Sequence, residues 1–178
     1  MAGTSGDASQ PSVHAAWRMA QARRAAQAYQ ANPKLAALAV AGSVGFGLAD
    51  QFSDLELDCY WFSAPGNQDR TGPIDALGGD LTALWDYDQD EEEWSEDYRL
   101  RELDVTVSNL LTGTIERFVD QVIQHADSDP VKHMRLAALQ RSCPLLGAEL
   151  SEARTGADLG SFREELSGCR RAIGPPPG

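Results

Sequence analysis

Five residues of this chain have the types and spacing to carry chemistry: Gly42, Ser43, Asp54, Glu56 and Asp104. A Gly-Ser pair where a strand gives way to a helix presents backbone N–H groups and a hydroxyl at the positive end of the helix dipole, which suits a phosphate. Gly42 lets the backbone approach a ligand closely because no Cβ intrudes. Asp54 and Glu56, two apart on a strand, project from one face with their carboxylates close together. Such a pair repels itself unless a cation sits between, and hard oxygen ligands select Mg²⁺ or Mn²⁺. Asp104, on a later strand, completes the set. Three carboxylates beside a phosphate cradle describe metal-assisted phosphoryl or nucleotidyl transfer, with one ion activating an acceptor hydroxyl and a second clamping the triphosphate. Each signal alone is weak: Asp54, Glu56 and Asp58 would equally line the solvent face of an edge strand, and Gly-Ser turns are common.

The elements that must position these residues follow from periodicity. Val13 to about Tyr29 reads as a helix with Val13, Ala16, Trp17, Ala20 and Ala28 along one face, closed by Asn32-Pro33. The apolar run Leu35–Ala41, between a proline and a glycine, reads as a buried strand. Asp54 to Trp61 alternates, with Leu55, Leu57 and Cys59 on one side and Asp54, Glu56 and Asp58 on the other. A loop with one short helix is expected up to Gly79, then a strand over Leu81–Tyr87. Leu103–Val107 is β-branched and strand-like. Beyond Thr112 the period becomes helical: Ile115, Phe118, Val119, Val122 and Ile123 form one stripe, capped by Thr112 or Thr114. Asp127–Pro130 breaks that helix, Val131–Gln140 forms another, Pro144–Gly147 reads as a turn, and helices are expected over Ala148–Arg154 and Leu159–Arg171. The order defines an α+β fold: a disordered terminus over 1–11, a core with a mixed sheet flanked by helices over 12–112, and a shortened helical C-terminal region over 113–178.

Composition narrows the partners. The 178 residues carry 15 Lys+Arg against 27 Asp+Glu, a net charge of -12. Wrapping nucleic acid or docking on an anionic membrane needs a basic surface, so neither is expected as a partner. No stretch is apolar enough to span a bilayer or to serve as a signal peptide at the start. Cys59, Cys143 and Cys169 are odd in number and lack CxxC spacing, which fits thiols in a reducing cytoplasm. The acids of Asp86–Asp97 read as a solvated hairpin or loop, or else as a docking surface for a basic partner or cationic substrate. The tryptophans read as core anchors, with Trp61 the best candidate to stack on a base. His125 and His133 fit no metal motif, and Arg99, Arg101, Lys132 and Arg135 are each candidates to meet a triphosphate.

The tract from Ala41-Gly-Ser-Val-Gly to Ser53-Asp-Leu-Glu-Leu57 resembles the signature of the polymerase-β-like nucleotidyltransferase superfamily. That signature is an apolar residue and Gly-Ser, a spacer, then Asp-apolar-Glu or Asp-apolar-Asp. Gly47-Leu-Ala-Asp-Gln-Phe-Ser-Asp54 is similar to the spacer of small bacterial antibiotic nucleotidyltransferases and of the minimal enzymes of toxin–antitoxin pairs, and Leu103-Asp-Val-Thr106 resembles the later carboxylate strand. The resemblance spans Leu35 to Val107. It implies that Gly42 and Ser43 bind the nucleotide's β- and γ-phosphates, that Asp54 and Glu56 ligate two Mg²⁺ ions, with Mn²⁺ an alternative, and that Asp104 ligates the catalytic ion and helps deprotonate the acceptor. Phe46 stands where relatives carry arginine. The part after Gly147 is short where antibiotic-modifying relatives continue into a helical acceptor domain, so the resemblance leaves the acceptor site to be completed by a homodimer or a partner protein, or lost. The implied activity moves a nucleoside monophosphate from an NTP to the hydroxyl of a small molecule, antibiotic-like or biosynthetic. A protein side chain as acceptor, or a non-catalytic partner or regulatory subunit, are the alternatives.

Overall fold

The structure is a computed structural model that describes residues 12–147. The expectations for 1–11 and for helices over 148–154 and 159–171 fall outside those residues. Eleven elements follow one another: α1 (Val13–Tyr29), β1 (Leu35–Val40), α2 (Gly42–Gly45), β2 (Leu55–Trp61), α3 (Asn67–Leu77), β3 (Asp80–Asp88), β4 (Glu93–Leu100), β5 (Leu103–Leu111), α4 (Thr112–His125), α5 (Pro130–Arg141) and β6 (Cys143–Leu146). The fold is α+β, with a six-stranded mixed sheet ordered β3-β4-β5-β2-β1-β6. The β2–β5 pair is parallel and every other pairing is antiparallel.

The two faces of the sheet are covered differently. On one, Leu55, Leu57, Cys59 and Trp61 of β2 join Leu103, Val105 and Val107 of β5 in a core with α1 and with Ile74 of α3. On the other, Ala39, Tyr60 and Leu110 meet Ile115 and Phe118 of α4 and Leu136 and Leu139 of α5. The second cluster sits over the ends of β2 and β5 where Tyr60 pairs with Leu110, which leaves the Asp54 and Asp104 end open.

Several expectations are corrected. The buried stripe of α1 is Ala15, Arg18, Ala22, Ala25, Ala26 and Tyr29, whereas Val13 and Trp17 are exposed. An alanine-rich helix offers little contrast between faces, so apolar periodicity alone does not pick out the buried one. The one helix expected in the segment before β3 is present but longer, 11 residues as α3, which tolerates Pro73 and ends at Gly78, left-handed with φ 68°. Neither Thr112 nor Thr114 caps α4; Leu111 stands at the N-cap, because β5 runs straight into the helix. Pro144–Gly147 is not a turn: Cys143–Leu146 pairs with β1, Val40 opposite Cys143 and Leu38 opposite Leu146. Helices therefore do not follow the strands without interruption. Trp61 is fully buried and unavailable to a base, while Trp17 and Trp85 are exposed rather than core anchors.

The acidic hairpin is only partly solvated. Glu93 and Glu96 of β4 are buried. Arg70 of α3, itself buried, donates from Nε to Glu96 Oε2 at 2.7 Å. Asn109 Nδ2 donates to the same carboxylate at 2.9 and 3.0 Å, and Trp61 Nε1 donates to Asn109 Oδ1 at 2.9 Å. A buried chain of polar groups thus links α3, β4, β5 and β2. Removing one member of a buried ion pair leaves an uncompensated charge and costs about 3–5 kcal/mol. Arg70→Met is expected to lower the unfolding free energy by about that amount. Arg70→Met with Glu96→Gln should recover part of it, because no unpaired charge remains; urea denaturation measures both.

Candidate active site

The parallel register gathers the carboxylates. Leu55 pairs with Val105 and Glu56 with Thr106, so Asp54 and Asp104, one residue earlier on each strand, stand side by side at the start of the pair. Leu55, Leu57, Val105 and Val107 turn into the first core, which turns Asp54, Glu56, Asp104 and Thr106 to the opposite face. Asp97 and Arg99 of β4, opposite Thr106 and Asp104, extend that face. Thr106 donates to Asp97 at 2.8 Å, and Arg99 Nε donates to Asp104 Oδ1 at 2.8 Å, with Asp104 and Arg99 both largely exposed.

Gly42 and Ser43 join this group from β1. The Ala41 amide donates to the Glu56 carbonyl at 3.0 Å, and the chain then turns at once into α2. Gly42 has φ 54°, and a Cβ placed there would stand 2.1 Å from Glu56 Oε1. The Glu56 carboxylate occupies the space that a side chain at 42 would fill. Glycine is thus required twice, for the left-handed backbone and for the room. Gly42→Ala is expected to lower stability by about 1–2 kcal/mol through backbone strain alone. The loss should be greater with Glu56 present than in a Glu56→Ala background, a difference that a double-mutant denaturation cycle reads out.

The loop leading into Asp54 is fastened to α1. Arg18, buried, donates to the carbonyls of Ser53 at 2.6 Å and Gln51 at 3.0 Å, and the Ser12 hydroxyl donates to the Ala49 carbonyl at 2.6 Å. Asp50 and Ser53 close the turn with each other at 2.9 Å. Sequence reasoning missed Arg18; the signal available was an arginine recurring at the helical spacing of the small residues Ala15, Ala22 and Ala25.

Charge and burial shape the acids differently. Partial burial, and then the charge of Asp54, raise the Glu56 carboxyl above its ordinary range. Asp58, on the same strand side, does not line a solvent face: it is buried, with the Tyr60 hydroxyl 3.4 Å from its Oδ2. Burial pushes it from 3.8 up to about 6, opposed by Arg135 and reinforced by Glu56. Arg135 itself is held by Glu93 at 2.6 Å and Glu91 at 3.4 Å. In the folded protein Asp58 holds a proton that the unfolded chain releases near 3.8, so its stabilising contribution is complete below that value and is lost as pH rises through about 6. Thermal unfolding in EDTA should show stability falling across that window, with a shallower fall in Asp58→Asn.

The open end of the face offers hard carboxylate oxygens to a divalent cation, and the packing of Glu56 against bare Gly42 fits such a donor set. Among the described residues no three His, Cys, Asp or Glu side chains converge on one cation position; Asp104 is turned towards Arg99. His125 pairs with Asp120 and His133 with the Asp127 carbonyl, away from these acids. Lys132 is paired with Asp127 at 2.5 Å. No family model matches the chain, and no curated protein matches its sequence. Among the described residues no helix is long and apolar enough to cross a membrane.

Proposed function

We propose that this protein is a divalent-metal-dependent nucleotidyltransferase of the polymerase-β-like kind, moving a nucleoside monophosphate from an NTP to a hydroxyl group. One observation carries the reading: the parallel β2–β5 register places Asp54, Glu56 and Asp104 on one open face, with Glu56 against the Gly42–Ser43 turn. Asp54 and Glu56 would hold the ions, joined by Asp104 once it leaves Arg99, an exchange that is inexpensive because exposed ion pairs are worth little. Bound Mg²⁺ or Mn²⁺ would neutralise the triphosphate and acidify the acceptor hydroxyl. The Gly42 and Ser43 amides and the Ser43 hydroxyl would orient the β- and γ-phosphates. Asp104 would take the acceptor proton as the hydroxyl oxygen bonds to the α-phosphorus. The bond from that phosphorus to the bridging oxygen then breaks, and pyrophosphate leaves.

The negative face suits a cationic hydroxyl-bearing small molecule, whose local concentration a focused potential raises. A protein hydroxyl is the other acceptor class, and a second subunit or partner would help to form the acceptor site. Cys59 and Cys143, both free thiols, suit a cytoplasmic setting, where NTPs are supplied. The Arg99–Asp104 pair favours one second reading, a non-catalytic nucleotidyltransferase-fold partner or regulatory subunit whose third carboxylate is already satisfied.

Calorimetric titration of ATP, GTP, CTP and UTP with and without Mg²⁺ tests the proposal. Mg²⁺-dependent binding of at least one NTP is expected in the wild type and should be lost in Asp54→Ala with Glu56→Ala. Both side chains are clear of the core, so that variant should retain its fold. Equal binding in the variant would refute the assignment of these residues. Binding without pyrophosphate release across an acceptor screen would favour the regulatory reading.

A further inference from the structure

The proposed site is short of positive charge. Asp54, Glu56, Asp58, Asp97 and Asp104 share one face, and a nucleoside triphosphate would bring more negative charge to it. The cations nearby are mostly committed: Arg99 to Asp104, Arg135 to Glu93 and Glu91, and Arg18 to backbone carbonyls under the loop. Arg101, in the turn after β4, lies three strands from β1, roughly 14 Å at about 4.8 Å per strand. Arg141, the last residue of α5, is uncommitted and lies two residues before the strand that pairs with β1. It is exposed, and it forms no ion pair with any carboxylate among the described residues. Its guanidinium carbon lies 5.8 Å from the centre of the Phe46 ring.

The fold brings Arg141 beside α2, which carries Gly42 and Ser43, by two contacts. Cys143, two residues on, pairs with Val40 at the end of β1. Gly45 lets α2 nest into that junction: a Cβ there would stand 2.4 Å from the Val40 carbonyl oxygen and 3.7 Å from the Cys143 nitrogen. Phe46 follows directly, its amide donating to the Gly42 carbonyl at 3.2 Å. The aromatic platform of Arg141 is therefore one turn from Gly42 and Ser43.

We propose that Arg141, mounted on Phe46, is a phosphate-binding residue that contacts the β- and γ-phosphates of the nucleotide. The proposal rests on the nucleotidyltransferase reading. A guanidinium offers a planar fork of donors that matches phosphate oxygens, and stacking on a ring orders it while leaving those donors free. Phe46 thus acts as a positioning residue. The helix that supplies the cation is distant in sequence from the Gly-Ser turn, so no local motif reports it.

Binding of Mg²⁺-ATP, AMP and inorganic tripolyphosphate to wild type, Arg141→Ala, Arg141→Lys, Phe46→Ala, the Phe46→Ala/Arg141→Ala double variant and Arg99→Ala tests this. Arg141→Ala is expected to weaken ATP and tripolyphosphate by about ten- to a hundredfold, the worth of hydrogen bonds to a charged group. AMP should change by less than about twofold. Arg141→Lys should recover part of the loss, because a point charge still meets phosphate. Phe46→Ala should cost about two- to fivefold, the worth of an exposed cation–π contact, and nothing further once Arg141 is gone. Unchanged ATP affinity in Arg141→Ala, or a loss confined to Arg99→Ala, would overturn the assignment of Arg141 while leaving the nucleotide site standing. A wild type that binds neither ATP nor tripolyphosphate would overturn the nucleotidyltransferase reading and this proposal with it.

Discussion

The register of the parallel β2–β5 pair is the constraint on which everything else depends. Side chains alternate along a strand, so a slip of one residue would exchange every inward residue for an outward one. Leu55, Leu57, Cys59 and Trp61, with Leu103, Val105 and Val107, allow only one solution, because their burial against α1 and α3 is the main hydrophobic commitment of the sheet. The carboxylates go to the other face as a consequence. Asp54, Glu56 and Asp104 are brought together by the packing of the residues between them, not by any attraction among themselves.

Holding that register takes both polar and apolar contacts. The chain Arg70–Glu96–Asn109–Trp61 crosses the first face and ties α3 to three strands. Tyr29 meets Trp61 edge to face, with centroids 6.4 Å apart. On the second face α4 and α5 cover only the Tyr60–Leu110 end. The cleft is thus the uncovered part of a surface whose remainder is core, and Asp58 lies at the boundary, which is why its environment differs so sharply from that of Asp54 two turns of the pleat away.

Much of this was legible in the residues. The alternation of Asp54–Trp61 and Leu103–Val107 indicated strands with acids on one side, and the apolar Leu35–Ala41 run indicated β1. The stripe Ile115, Phe118, Val119 and Val122 placed α4, whereas Ile123, read into the same stripe, is exposed. What stayed hidden depends on distant partners. A Cys-Pro-Leu-Leu tetrapeptide becomes a strand only because β1 offers an edge. Glu93 and Glu96 are buried only because Arg135 and Arg70 arrive from other elements. Pro73 and the flanking glycines concealed the length of α3, and the weak contrast of an alanine-rich helix concealed which side of α1 faces the sheet. Arg18 and Arg141 were missed for the same reason: each meets its target across a gap in sequence that no local pattern spans.

The half-open second face separates architecture from chemistry. The acids at the open end fill no space in either core, and like charges held side by side strain the folded state rather than support it. Replacing them would leave each strand its apolar partners. Over evolutionary time such a protein can therefore lose these carboxylates without losing its shape, and selection for stability alone would erode them first.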